Sequence, residues 1–543
     1  MNEEMDIEDW APWLVIFIIL VGGGLRLLLL DRQDVWLDEA FSVWLARQSV
    51  GAMLHWVAQI DQHPPLYYLL LHAWISLNGD TPYAVRLLSA LFGAGTIPMI
   101  YLIGKRLSGD GVGLAAATLL ALSPFHIRFG QEARMYTLLT FNVSVALYAL
   151  VRLLTDPRAG QPIGSQFWAY FHARRTASAE PAPEGNPAPD RFPLRALETD
   201  LAWGIFIVFS AATLFTHNTA VLFPLATNLF VLGLVFYQRK LKTSTPMILQ
   251  APSIVNWGKA QIGIFLLWSP WLLTFIQQVC RVDQEFWLPA PGWNTVVQAL
   301  RSFLNENTLA QANQFTSVWL MYGLVLGLGL VYYRKKFSIF LFLAMLFAVP
   351  FLGELLVSLR RPIFYDKTLI WVTLPLFLVL AAGILQFRFR FLIILGLGVL
   401  CVNNLFSAGD YYKWAQKERW SDAAGYVANF AETGDLVLFN AGWVQIPFDY
   451  YFKTYETLYL IQVEKHGIPE DMFESGILEP KMTDSDIPQL LSVIEGHHRV
   501  WLVYSHNDYT DPQNLIPQTL AAQMELTRTR DFYGGQVQLY ELP

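Results

Sequence analysis

Long, nearly uninterrupted apolar stretches recur along the first 407 residues of this chain, and polar residues gather in the joints between them. A helix needs roughly 17 to 25 apolar residues to cross the hydrocarbon core of a bilayer, a rule that places about eleven spans here. They fall near 11–30, 84–104, 111–127, 135–154, 199–216, 219–237, 259–276, 316–333, 337–352, 367–386 and 391–407, with 316–333 Gly-rich and the pair around His217 closely spaced. In VWLDEAFSVWLARQ, Leu37, Phe41, Trp44 and Leu45 recur at helical spacing while Asp34, Asp38 and Ser42 share another face, which predicts an amphipathic helix along the membrane surface.

Two regions depart from the apolar pattern. Residues 155–198 contain ASAEPAPEGNPAPD, a mixture too polar to bury a core of its own, and read as a mobile cytoplasmic insert. After residue 407 the texture is that of a soluble domain: helix-like SDAAGYVANFAETG, short apolar GDLVLFN and RVWLVYS, then alternating GGQVQLYEL. The expected organisation is therefore a membrane domain over 1–407 and a small α/β domain over 408–543.

Composition agrees. Of 543 residues 54% are apolar and 15% charged, against about 25% charged in soluble domains. The first span is expected to stay in the mature protein, because MNEEMDIEDW replaces the basic start of a signal peptide and no small-residue cleavage site follows before Arg26. Lys105-Arg106, Arg152 with Arg174-Arg175, Arg239-Lys240-Lys242, Arg334-Lys335-Lys336 and Arg388-Arg390 fall on one side of the spans, which marks that side as cytoplasmic. The loops holding Asp38-Glu39 and Glu132, the segments 278–315 and 353–366, and everything beyond 407 then face outward, at the inner (plasma) membrane of the cell. The acidic N-terminus and Arg32 lean the other way. A net charge of -7 gives no reason to expect nucleic acid, and Cys280 and Cys401 form no CxxC, which disfavours redox or thiolate-metal chemistry.

Four outward stretches gather reactive side chains. Asp38 and Glu39 are adjacent, so one must turn from the polar face that Asp38 shares with Asp34 and Ser42 and aim at a cleft; the plainer account is acids favouring a helix N-terminus. In DQHPPLYYLLLHAW, Pro64-Pro65 break the chain beside His63, a substrate contact or merely a turn histidine. Tyr67, Tyr68 and Trp74 are expected at the membrane interface. SPFHIRFGQEARMYTLL crowds Gln131, Glu132, Arg134 and Tyr136 together, and ionisable groups at membrane depth are working groups by default. LRRPIFYDKTLIW carries Arg360, Arg361, Tyr365 and Lys367 where the positive-inside bias disfavours cations. These cations either snorkel to headgroups or bind a lipid-linked phosphate. His126 and His217 lack a partner at metal-ligand spacing and read as structural.

WLDEAFSVWLARQS, DQHPPLYYLLLHAW with the following RLLSALFG, and SPFHIRFGQEARMYTLL resemble the amino-terminal half of the GT-C membrane glycosyltransferases, the superfamily of the protein O-mannosyltransferases and the lipid A aminoarabinose transferase (glycosyltransferase family 39). The resemblance is specific over residues 10–155 and, over 200–410, rests on the spans and RRPIFYDK. It implies an α-helical polytopic membrane protein of GT-C type with juxtamembrane helices on its outer face, and inverting transfer of a sugar from a polyprenyl-phosphate donor to a hydroxyl of a lipid, glycan or protein. Asp38 matches the family's catalytic base with Glu39 beside it, Glu132 and Arg134 match residues lining the site, and Arg361 and Lys367 match the donor-phosphate cations.

The residues taken alone fit that chemistry. Displacement at an anomeric carbon needs a base for the acceptor, and a departing phosphate needs only cations to neutralise it. Carboxylates near a phosphate leave room for a divalent cation, which nothing in the sequence demands; no other cofactor is implied. A lipid-linked sugar transporter or flippase, a polymer ligase using a diphosphate-linked donor, and a structural membrane protein with a binding domain remain as rivals.

Overall fold

The structure, a computed structural model, describes residues 7–61, 63–160, 194–241, 248–281, 290–305, 316–470, 472–475 and 480–543. The insert expected at 155–198 and the outer segment 278–315 lie partly outside them. The chain divides into two compact units. The first takes Met1–Leu28, Ser89–Gln131 and Met135–Lys413; the second takes Leu29–Leu88, Glu132–Arg134 and Trp414–Pro543.

The protein is a multi-pass membrane protein. Each of the eleven predicted stretches is helical. Among the described residues, eight helices are long and apolar enough to cross a membrane, nine if a bent pair counts as one span. Val318–Arg334 forms a shorter apolar helix. The bent pair is Asp110–Ala121 with Pro124–Gly130, turned by 58°. Sequence dictates the break: Ser123 accepts the His126 N–H on its hydroxyl, and Pro124 starts the second helix where a missing N–H costs nothing.

Burial separates core helices from lipid-facing ones. Asp366–Ile384 and Tyr136–Thr155 are 89% and 83% buried, as befits helices apolar on every side, whereas Asp9–Leu27 is 22% buried and exposes Phe17 and Leu20. Glycine sets the closest approach: a Cβ on Gly383 would stand 1.9 Å from the Val325 carbonyl oxygen, and one on Gly329 2.0 Å from that of Val379. Gly329 and Gly383 thus form a packing seam in which backbone meets backbone, as small residues allow in membranes. Arg26 is wholly buried, and its two terminal nitrogens donate to the carbonyls of Gly22, Ala121 and Leu120 at 2.8–3.2 Å.

In the second unit, helices Leu37–Arg47, Val50–Gln59 and Leu66–Asn78 accompany a five-stranded sheet. Its strands are β1 (Leu436–Phe439), β2 (Glu464–Gly467), β3 (Arg499–Tyr504), β4 (Glu525–Phe532) and β5 (Gly535–Glu541), in the order β2-β1-β3-β5-β4. The β1, β2 and β3 strands are parallel, and β5 runs antiparallel to both β3 and β4. Leu436, Leu438, Val500 and Leu502 pack on one face with Leu490, Ile494, Ile516 and Leu520. Trp501 and Phe439 meet the helices Trp420–Phe430 and Gly442–Tyr459 through Tyr426 and Phe448. The small α/β fold expected from the sequence is present, with β2 and β4 added to the three strands anticipated.

Residues 29–88 are stapled to this sheet-bearing part. Tyr451 accepts the Val35 N–H at 2.7 Å, Asp34 accepts the Ser421 N–H at 2.8 Å, and Tyr450 donates to the Asp80 carbonyl at 2.6 Å. Trp36 sits at the N-cap of Leu37–Arg47 with no acceptor to offer, and Glu418 instead takes the Leu37 N–H at 3.2 Å.

Candidate active site

The paired carboxylates divide. Glu39 is wholly buried, and both its oxygens are engaged. Arg86 donates Nε to Oε1 at 2.8 Å and Nη2 to Oε2 at 2.7 Å, the Ala133 N–H adds 2.8 Å at Oε1, and Lys417 Nζ stands 3.1 Å from Oε2. Burial pushes the Glu39 carboxyl up, but Arg86 and Lys417 outweigh it and hold the group at about 2. Burial lowers Lys417 against the pull of Glu39. Arg86 also donates to the carbonyls of Leu30, Gln33 and Asp34 at 2.7–2.9 Å, so one guanidinium closes the whole 30–39 loop.

Asp38 points elsewhere and keeps 28% of its side chain accessible. Its Oδ2 is 3.8 Å from Arg134 Nε, while Arg134 Nη1 donates to the Asp38 carbonyl at 3.2 Å and the Ser42 hydroxyl at 3.3 Å. His63 is held by Asp61, Nδ1 to Oδ1 at 2.9 Å. Burial raises the Asp61 carboxyl, yet His63 and Arg134 bring it below the ordinary carboxylate range. Tyr68 is buried and pushed up, first by burial and then by Asp61, with the charges of Arg134 and Asp38 also acting on it. Asp38, Ser42, Asp61, His63, Tyr68 and Arg134 therefore form one polar cluster in the second unit, in which Arg134 couples the two aspartates. Glu132, also buried in this unit, acts electrostatically on Lys417. Tyr67 and Tyr68 were expected at the interface and are wholly buried instead, packed edge to face.

Other candidates lie in the first unit. Lys367 Nζ stands 5.5 Å from the Tyr136 ring centre and 4.6 Å from that of Tyr365, and its charge and that of Arg128 act on the Tyr365 hydroxyl, which burial pushes up. Arg361 donates to the Val279 carbonyl at 2.6 Å, while Arg360 is exposed at the end of the preceding helix. Gln131 donates to the carbonyls of Arg26 and Leu28 at 3.2 and 2.7 Å, closing the C-terminus of helix Ile7–Leu27. His126 pairs with Thr373 at 2.7 Å, and His217 Nδ1 accepts the Thr219 N–H at 3.2 Å. Among the described residues no three His, Cys, Asp or Glu side chains group as a metal site would require.

Sequence reasoning missed Asp61, Arg86, Arg128 and Lys417. An arginine near the start of an apolar span is the one legible signal among them, since a charge there needs a partner.

The chain is similar in fold to solved structures over most of its length. ArnT from Cupriavidus metallidurans in the apo state matches at TM-score 0.61 and 11% identity over 97% of each chain, and its complex with undecaprenyl phosphate at 0.55 and 11% over 97% of each. The apo oligosaccharyltransferase of Archaeoglobus fulgidus matches at 0.51 and 10%, covering 92% of this chain and 70% of that one. The fold is GT-C. Within it, residues 62–169 match the family described as dolichyl-phosphate-mannose-protein mannosyltransferase. No curated protein matches the chain in sequence. In this GT-C fold the matched segment begins at the DQHPPLYY turn and carries Glu132, Arg134 and Tyr136.

Proposed function

We propose that the protein is an inverting glycosyltransferase that moves a sugar from a polyprenyl-phosphate donor to an acceptor hydroxyl at the outer face of the membrane. The observation that carries this reading is the division of labour at 38–39 within a GT-C fold. Glu39 is locked by Arg86 and Lys417, and its neighbour Asp38 is left accessible on a rigid helix with Arg134 beside it. An accessible carboxylate on an immobilised backbone is what a general base requires.

In the proposed reaction Asp38 takes the proton of the acceptor hydroxyl as its oxygen bonds the anomeric carbon. The bond from that carbon to the phosphate oxygen breaks, and the electron pair leaves with the phosphate. Lys367 and Arg128, with Arg360 and Arg361 near the same segment, supply the positive charge that stabilises the departing phosphate. Arg134 orients Asp38, and Glu39 positions it. The charge bias of the loops supports an outward site at the plasma membrane, and ArnT's complex with undecaprenyl phosphate supports a donor of that lipid class.

The test is mass analysis of envelope lipids, glycans and proteins from cells making the wild-type protein or Asp38→Asn, with undecaprenyl phosphate binding measured on both purified proteins. The reading expects a glycosylated product in the wild type alone, with binding retained in both. A product formed undiminished by Asp38→Asn defeats it.

A further inference from the structure

We infer that Glu354, a buried carboxyl near the C-terminal end of helix Phe337–Ser358, carries a hydrogen and through Thr368 positions the turn bearing Lys367. That the turn serves donor phosphate rests on the function proposed above; the hydrogen does not.

Glu354 lies in helix Phe337–Ser358 and is wholly buried. Its Oε2 is 2.8 Å from Thr368 Oγ, and the same hydroxyl is 2.7 Å from the Tyr365 carbonyl oxygen. A threonine hydroxyl has one hydrogen, so it serves both oxygens only if the carboxyl brings another. An O–H of Glu354 donating to Thr368, with Thr368 donating to Tyr365, satisfies all three groups. Oε1 has no hydrogen-bond partner, the Thr219 hydroxyl and the Tyr365 N–H also act on the carboxyl, and among the described residues no cation pairs with Glu354. A charged carboxylate in that setting would lack what buried charges need.

The same helix grips the loop a second time. Ser358, four residues on and therefore on the same face, accepts the N–H groups of Ile363 and Phe364 at 3.0 and 2.8 Å. Glu354 and Ser358 thus clamp residues 363–368, and Lys367 projects from the clamped turn toward the Tyr136 and Tyr365 rings. Glu354 acts on Lys367 through that turn, as a positioning residue.

The experiment uses the full-length protein in lipid nanodiscs at neutral pH. Infrared difference spectra of wild type minus Glu354→Gln are expected to show a protonated carboxylic-acid band, and its absence overturns the hydrogen. Glutamine puts an N–H where the acid has its O–H, so Glu354→Gln is expected to keep wild-type affinity for undecaprenyl phosphate. Glu354→Met, and Thr368→Val should the former not fold, are expected to bind about tenfold more weakly. Loss in Glu354→Gln as large as in Glu354→Met overturns the positioning role. If the wild type itself does not bind undecaprenyl phosphate, the donor reading fails while the infrared band still decides the hydrogen.

Discussion

Arg86 holds Glu39 with two parallel hydrogen bonds, 2.8 and 2.7 Å, across 47 residues of sequence. Both side chains are almost wholly inaccessible, so neither tolerates loss of the other. Breaking such a buried pair costs about 3 to 5 kcal/mol, because it leaves an uncompensated charge, whereas replacing both partners with apolar groups is often neutral. Glu39→Gln and Arg86→Met singly are expected to lower the unfolding midpoint sharply, and the double variant to recover part of the loss. Thermal unfolding followed by tryptophan fluorescence reads all three; additive losses would contradict the pairing.

That same pair predicts an acid limit. The Glu39 carboxyl sits at about 2 in the folded protein against 4.5 for the ordinary group. A lowered acid contributes stability that is complete above its unfolded value and lost as pH falls toward the folded one. The window runs from about pH 4.5 down to about pH 2, and the full contribution is on the order of 3 kcal/mol. The wild-type midpoint should therefore fall steeply through this window, and the Glu39→Gln curve should be flatter there.

These interactions mark the boundary of what a single sequence discloses. The spans were legible because a bilayer demands apolar length, and the Ser123-Pro124 break announces itself by residue type. The strands β2 and β4 were not, because both lie at sheet edges and their sequences, EKHG and ELTRTRDF, carry no apolar run. At 38–39 the sequence required one carboxylate to turn away without saying which. The answer lies in Arg86, Ala133 and Lys417, which are brought to Glu39 from 47, 94 and 378 positions away. For Gly329 the misleading signal was its own chemistry: glycine weakens an apolar helix on paper, yet here it admits the Val379 carbonyl.

Asp38 and Lys367 should separate kinetically. A general base is worth about 10²- to 10⁴-fold in rate, so Asp38→Asn is expected to lose turnover by that order and to keep affinity for undecaprenyl phosphate. Lys367→Gln should do the reverse in binding, weakening it about ten- to a hundredfold, as expected for loss of a charge-assisted contact to phosphate. Calorimetric titration of each purified variant with undecaprenyl phosphate makes the distinction. Equal losses of affinity in both would remove the assignment of base to one and phosphate cation to the other.

The seam between helices Thr316–Arg334 and Thr373–Ile384 gives a test on stability alone. A methyl group at Gly329 or Gly383 would be driven to 2.0 or 1.9 Å from a backbone carbonyl oxygen, and backbone cannot rotate aside as a side chain can. The helices must separate instead, and overpacking of this kind costs about 1 to 3 kcal/mol. Gly323→Ala lies on the same helix but meets nothing within 4 Å, so it should gain slightly from alanine's better helix propensity, by less than about 1 kcal/mol. Unfolding midpoints in one detergent should therefore rank Gly323→Ala at or above wild type, and Gly329→Ala and Gly383→Ala well below it. The contrast between Gly323 and Gly329 isolates the close approach from any general intolerance of alanine in this helix, since both substitutions add the same atom to one helix and differ in what it meets.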